Sequence, residues 1–376
     1  MAATYELILA DPFGVRLEAD LSAFLSLSYT LATNTITELT LELPGTIPRA
    51  LFRTDGRIAV WRSVDGRPAQ LEGVWLIRHP RRKIMRSGER RLIVRAFSLL
   101  TLLDRRIVAY PAGSSFAEKS GAADALIVEV VNENLHNGID SAERDAESGG
   151  ATGVNLSAYL DLAAVASAGA TVSKAFSRDN VLEVCREIAD ASAQAGVYVA
   201  FDVVAVNERL ILQTYLQQRG DDHRFPGGIS PVILSPDLGN LTDVEIDEDE
   251  SEEVTAAIVG GQGDREARTI GVYADTERIG ASPFNRIERL VEKTDTADIT
   301  ILTSEGQARV RAARPRVRIS GRVQETPDTR YGVHWKHGDY VTAGADTYLI
   351  DARIDLVKIE VAGGTETIEA FVRGEQ

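Results

Sequence analysis

Trp75-Leu76-Ile77, continuing through Ile84 and Gly88 to Leu92-Ile93-Val94-Arg95-Ala96-Phe97, has a second version far down the chain. There Tyr348-Leu349-Ile350 continues through Ile359 and Gly363-Gly364 to Thr367-Ile368-Glu369-Ala370-Phe371. In both, a Leu-Ile pair opens a strand, a glycine turn reverses it, and the returning strand ends Ala-Phe. Alternating apolar and polar residues mark half-buried strands, and glycine supplies the turn backbone. A chain carrying two copies of one sheet unit suits quasi-symmetric assembly better than catalysis.

Working outward from the first copy, residues 1–108 read as strand after strand. Tyr5–Leu9 turns at Asp11-Pro12-Phe13-Gly14 and resumes as Val15-Arg16-Leu17. Leu25–Leu31 and Glu38–Leu43 alternate with period two and stop at Pro44-Gly45. Ile58–Arg62 and Leu71–Ile77 flank a turn at Asp65-Gly66. Strands this short and this regularly spaced predict a barrel or sandwich, which Leu99–Arg106 closes.

Residues 109–205 change character. Ala122–Asn134 has helical spacing and is followed by a Gly/Ser/Asp-rich loop from Asn137 to Gly153. Asp179–Ser192 is the clearest amphipathic helix, with Val181, Leu182, Val184, Cys185, Ile188 and Ala189 on one face and Asp179 as its cap. Strands Tyr198–Val206 and Arg209–Tyr215 then pair. Residues 243–253 hold eight acids: Asp243, Glu245, Asp247, Glu248, Asp249, Glu250, Glu252 and Glu253. More β sequence follows at Val254–Val259, then a helical stretch near Phe284–Lys293, and β again from Arg316. The whole predicts a β-rich α+β chain.

The chain of 376 residues is long enough for two to four domains, with 44% hydrophobic and 26% charged residues. No apolar run reaches the roughly 18 residues that a membrane-spanning helix needs, so no membrane insertion is expected. The start lacks the pattern of a signal peptide, so synthesis in a cytoplasm is expected. Cys185 is the only cysteine, which excludes an internal disulfide and a cysteine-based zinc cluster; its helical setting favours a buried apolar role. A net charge of −15 argues against general nucleic-acid binding, which rests on Lys and Arg neutralising phosphates. An acidic surface would let DNA pass without sticking.

The order of segments, and several local strings, resemble the tail-hub proteins of long-tailed phages, the siphophage family related to the baseplate hub of contractile tails. The strings are Ser26-Leu27-Ser28-Tyr29 with Leu39–Pro44, Leu102–Val108, Asp190-Ala191-Ser192, Arg219–Asp222, Leu234–Leu241, Gly260–Gly263 and Tyr331–Asp339. The resemblance covers almost the whole chain, and it is the shared order of these strings that carries it. The resemblance implies two tail-tube-like β-barrels in one chain with inserted α+β domains. Barrel one would be 1–108 and the first insertion 109–205. Barrel two would be 206–242 with 308–376, enclosing an acidic α+β insertion, 243–307. It further implies a homotrimer whose six barrels match a sixfold tube. The distal tail protein or tube would lie above, tip and fibre proteins below, and the tape measure protein in the lumen, through which DNA passes. Such a protein resides in the virion, at the tail tip or baseplate. Two other readings stand beside it: the hub of a contractile tail, injection system or gene-transfer particle, and a receptor- or glycan-binding tail-tip protein.

The remaining motifs read as structure. His334-Trp335-Lys336-His337 has two histidines three apart, but the flanking Gly332 and Gly338 predict a turn entering a strand, with no third metal ligand nearby. The acidic run lacks the spacing of a calcium loop and reads as a solvated face that, lining a ring, would repel DNA. Arg219-Gly220-Asp221 matches a cell-adhesion tripeptide but reads equally as a charged loop. Gly260-Gly261-Gln262-Gly263 lacks the ending of a phosphate loop and reads as a turn or a close backbone approach between subunits. No Gly-x-Ser-x-Gly or His-Glu-x-x-His occurs, and no carboxylates stand in a recognisable paired setting. No catalytic, cofactor-binding or metal-ligating residue is assigned, and no enzyme activity or cofactor is expected. Trp61, Trp75, Phe97, Trp335 and Phe371 read as core.

Overall fold

A computed structural model describes residues 3–108, 117–138, 155–176, 179–294, 297–314 and 316–375. The chain divides into two compact units, Met1–Val244 with Gly321–Arg373, and Glu245–Ser320 with Gly374–Gln376.

Six strands open the first unit: β1 (Ala3–Ala10), β2 (Ser26–Ala32), β3 (Glu38–Pro44), β4 (Arg57–Val64), β5 (Gln70–Ile84) and β6 (Arg90–Ser98). They lie in the order β1-β4-β5-β6-β3-β2, every neighbour antiparallel. The period-two pattern decides which face is buried: Leu39, Leu41 and Leu43 are inside, whereas Glu38, Thr40 and Glu42 are half-exposed. Val15–Leu17 is not a strand; it holds only an isolated bridge from Ala10 to Arg16. Within Leu99–Arg106 the chain forms one helical turn, α1 (Thr101–Asp104).

Next come β7 (Ala117–Ala122), α2 (Ala123–Leu135), β8 (Leu160–Leu162), β9 (Thr171–Phe176), α3 (Val181–Gln194), β10 (Val199–Val206) and β11 (Arg209–Leu216). They make a three-stranded sheet β10-β11-β8 and a ribbon β7-β9, whose apolar faces meet α2 and α3 in one core. The six apolar residues expected on the α3 face are all buried. Its cap is Asn180, not Asp179: the Asn180 side chain accepts from the amides of Leu182 (2.9 Å) and Glu183 (3.3 Å). Cys185 is fully buried there, and burial pushes its thiol above the ordinary range. Of the Gly/Ser/Asp-rich loop, 139–153 lies outside the described residues.

Then come β12 (Ile233–Leu234) and β13 (Leu241–Asp249), from which the chain enters the second unit. Its elements are β14 (Ala256–Gly260), β15 (Ile270–Ala274), α4 (Thr276–Gly280), β16 (Glu288–Glu292) and α5 (Ile299–Ala312). The sheet order is β15-β14-β16, with α5 laid across β14 and β15. Among the described residues its buried centre includes Val254, Ala257 and Val310, with Tyr273, Val291 and Ala313 against them. The helix expected near Phe284–Lys293 is instead loop and strand β16, which pairs parallel with β14. Phe284 is 90% exposed, so it anchors no helix face.

The chain re-enters the first unit along β17 (Arg316–Val323) and ends with β18 (Tyr340–Ala345), β19 (Tyr348–Ala362) and β20 (Thr365–Glu375). The order is now β12-β18-β19-β20-β17-β13. In spatial and chain order this repeats β1-β4-β5-β6-β3-β2, except that the two-residue β12 pairs parallel with β18 where β1 pairs antiparallel with β4. The duplication therefore covers six strands and not only the hairpin visible in the sequence. Among the described residues the path is open and no closed barrel is formed. In the repeated hairpins Ile77 and Ile350 are both buried, but Leu76 is buried while Leu349 is 55% exposed. Trp75 and Trp335 are core residues, whereas Trp61 and Phe97 are half-buried; Phe371, expected inside, is 46% exposed. Gly363 and Gly364 both have positive φ (58° and 79°), as the two-residue turn joining β19 to β20 requires.

Ile359→Ala, which empties a fully buried site on β19, is expected to cost about 3 kcal/mol in urea unfolding. Leu349→Ala, on the exposed side of the same strand, should stay within about 0.5 kcal/mol.

Candidate functional surface

Two strands are unusually long, and each does two jobs. β5 and β19 both have 15 residues. The first half of β19, Tyr348–Arg353, pairs with β18. The second half, Leu356–Ala362, pairs antiparallel with all seven residues of β2, from Leu356↔Ala32 to Ala362↔Ser26. This ladder joins the two copies, and Leu27, Tyr29, Val357 and Ile359 are buried along it.

In β5 the first half, through Leu76, pairs with β4, and the other edge pairs with β6 along Trp75–Ile84. Counted along the two 15-residue strands, and not by the Leu-Ile match of the sequence, the stretch corresponding to Leu356–Ala362 is Arg78-His79-Pro80-Arg81-Arg82-Lys83-Ile84. Among the described residues no strand covers its outer edge. All these residues but the half-buried Pro80 are exposed. Arg78 is tied to Asp55 at 3.0 Å; Arg81, Arg82 and Lys83 point their charges into solvent.

β13 is the counterpart of β2 and ends the strand path. It holds five of the acids of the acidic run, Asp243, Glu245, Asp247, Glu248 and Asp249, all exposed. On its inner side it meets β17, where the Gln324 amide donates to the Asn240 carbonyl (2.9 Å). Glu253 departs from the solvated face expected of the run: it is buried and accepts from Arg278 Nε at 2.6 Å.

A buried polar cluster holds the copies together away from the ladder. Arg62 of β4 makes a bidentate pair with Glu366 of β20 (2.8 and 2.9 Å). It also donates to the Tyr5 hydroxyl (3.2 Å) and the Tyr331 carbonyl (3.3 Å), and lies over the Tyr331 ring. The Tyr331 hydroxyl donates to Glu72. Burial works against the charge on Arg62, but the Glu366 carboxylate outweighs it and lifts the guanidinium pKa further. Burial raises the Glu72 carboxyl, against the Tyr331 hydrogen bond and the charge of Arg62. No motif or spacing in the sequence announces this cluster. Its one sequence signal is a charge on an inward position of an alternating strand: Ile58, Val60 and Arg62 share the buried face of β4.

The histidine pair does not converge. His337 is buried, with Nε2 3.3 Å from both Thr33 Oγ1 and the Asp355 carbonyl. Burial and the nearby Arg219 push it down to about 3. His334 Nδ1 instead accepts from the Arg330 amide at 3.0 Å. The turn that carries them enters β18 as expected. In the adhesion-like tripeptide, Arg219 turns inward onto Asp202 (2.6 Å), and a side chain at Gly220 would collide with Asp339 Oδ1, so the segment is a packed turn. Asp221, His223 and Asp339 place three ligand-type atoms within 4.8 Å of one another. Asp339, however, already accepts from the Asp221 amide (2.8 Å) and the Lys336 amide (2.7 Å), one on each oxygen, so it braces this turn. In the glycine run, Gly260 packs against the Arg268 guanidinium and Gly263 has φ +106°; both close approaches are within the chain.

Arg62→Met, which strands Glu366 in a largely buried site, is expected to destabilise the protein by about 3–5 kcal/mol in denaturant unfolding. Asp355, half-buried on β19, has its carboxyl pushed up to about 6 by burial, against the pull of Arg353 and Arg373. A carboxyl raised in the folded state costs stability above that pH, and the cost vanishes as pH falls through 6 toward its ordinary value. Asp355→Asn should therefore raise stability by about 1–2 kcal/mol at pH 8 and by almost nothing near pH 4, measured by thermal melts across pH.

The family described as Siphovirus ReqiPepy6 Gp37-like protein matches residues 9–372. Among solved structures, the chain resembles a tail protein from Neisseria meningitidis MC58, 12% identical, over 99% of this chain and 97% of that one, with a TM-score of 0.52. It resembles the 43 kDa tail protein of prophage MuSo2 from Shewanella oneidensis at 10% identity, over 98% of both chains (TM-score 0.53). It also resembles prophage tail protein gp18 from Listeria monocytogenes EGD-e at 11% identity, over 98% and 94% (TM-score 0.53). At such identities the likeness is one of fold. A comparison with curated proteins gives no match.

Proposed function

The chain belongs to the siphovirus ReqiPepy6 Gp37-like family, whose fold it shares with phage tail proteins, and from that premise we propose that it is the hub at the distal end of a tail tube. The observation that carries this reading is the repeated six-strand order, β1-β4-β5-β6-β3-β2 and β12-β18-β19-β20-β17-β13, within one chain. Three chains then present six copies of one tube-like β module in a ring. Such a ring matches a sixfold tube above while keeping true threefold symmetry for the parts below.

The role is mechanical and not enzymatic. The hub takes the distal tail protein or the tube on one side and tip or fibre proteins on the other. The tape measure protein and then DNA pass through its lumen, and a net charge of −15 keeps DNA from adhering. Light scattering on the purified protein tests the stoichiometry. The expected mass is three times the 40.8 kDa chain. A monomer that fails to trimerise even with tail partners present overturns the reading.

A further inference from the structure

We propose that the ring closes by β13 of one chain adding, antiparallel, to the outer edge of Arg78–Ile84 on β5 of the next. This rests on the trimeric reading above and names the contact that would build it. The template is inside the chain. β2, the last strand of copy one, lies antiparallel on the second half of β19 in copy two. By the repeated order, β13 is the last strand of copy two, and β5 is the strand of copy one equivalent to β19. The chain thus makes the copy-one-to-copy-two junction itself. Among the described residues, both halves of the reverse junction, copy two to copy one, have no strand partner.

The two open edges match in length and in charge. Both long strands have 15 residues, and the seven that β2 covers on β19 correspond to the seven left open on β5. The open stretch of β5 carries Arg78, His79, Arg81, Arg82 and Lys83, while β13 carries Asp243, Glu245, Asp247, Glu248 and Asp249. Charge alone can blunt a strand edge against unwanted pairing. Protection does not call for opposite signs at the two positions that the internal repeat puts in register. Pro80 removes one donor from the β5 edge, and Arg49 Nε already meets its carbonyl at 3.3 Å. The backbone ladder is therefore shorter here than on β19, and opposite charge supplies more of the selectivity.

Charge reversal on the full chain tests this. Arg81→Glu with Arg82→Glu and Lys83→Glu should convert the wild-type trimer to monomer by light scattering. Asp243→Lys with Glu245→Lys and Asp247→Lys should do the same. Placing both sets in one chain should restore the trimer. An equimolar mix of the two single-edge variants should give even-numbered species and no trimer, because unlike edges then alternate around the ring. All six positions are exposed, so thermal midpoints should move little, apart from a modest drop from Asp243→Lys, where φ is +50°. If a wild-type trimer survives both reversals, the proposed contact is wrong while the hub reading stands; a wild type that never trimerises removes both. As a check independent of variants, carbodiimide cross-linking of mixed isotope-labelled and unlabelled trimer should join Lys83 of one chain to acids of 243–249 of another. Absence of that link in assembled trimer overturns the proposal.

Discussion

The ladder between β2 and the second half of β19 is the constraint on which the first unit depends. It requires β19 to outrun β18, and a 15-residue strand, about 50 Å long, does so. Because side chains alternate along a strand, a slip of one residue would turn Leu27 and Tyr29 to solvent and bring serine and threonine inside. The apolar pairs Tyr29↔Ile359 and Leu27↔Val361 therefore fix the register. With the ladder set, Arg62 of copy one falls opposite Glu366 of copy two, where a bidentate pair can survive burial. A pair of this kind adds little net stability over an apolar one, yet it penalises any arrangement in which the two residues fail to meet. Ladder and ion pair together hold the two copies in one mutual orientation.

Much of this was legible in the sequence, for identifiable reasons. Strands with one buried face show period two, so β1 through β6 were visible, and α3 showed its apolar stripe. The duplication was visible only at β5-β6 and β19-β20, where both members are long and joined by glycine turns. The rest of the repeat was hidden by three facts. β12 is only two residues long. β13 and β17 are neighbours in the sheet but are separated in sequence by the second unit. In β13 the acids Asp243, Glu245 and Asp247 alternate only with Val244 and Ile246, which reads as a charged run before it reads as a strand.

The errors in the second unit have local causes. Phe284, Ile287, Leu290 and Val291 fall at helical spacing, but a short strand laid parallel to β14 produces the same spacing by chance. α5 carries little helical signal in the sequence: it opens with Ile299, Thr300 and Ile301, which favour strand, and has Gly306 in its middle. That glycine lets the helix approach β14 and β15: a side chain there would stand 3.2 Å from Val259 Cγ2 and Tyr273 Cβ. The Arg62 cluster escaped for a different reason, since its members lie hundreds of residues apart and no spacing rule joins them.

The contrast between the two junctions follows from when each one forms. The β2–β19 junction forms as the chain folds, so it can be lined with leucine, tyrosine, valine and isoleucine that are never exposed in the finished monomer. The reverse junction, if left to a second chain, must stay in water until that chain arrives. An apolar edge like that of β2 would there be a template for uncontrolled pairing. Strongly charged edges of opposite sign avoid this, since each repels its own kind and accepts the other. A duplicated module that closes into a ring is therefore expected to be asymmetric in its chemistry even where it is repetitive in its topology. The apolar joint at Leu27–Val361 and the charged edges at Arg81–Lys83 and Asp243–Asp249 show that asymmetry in a single chain.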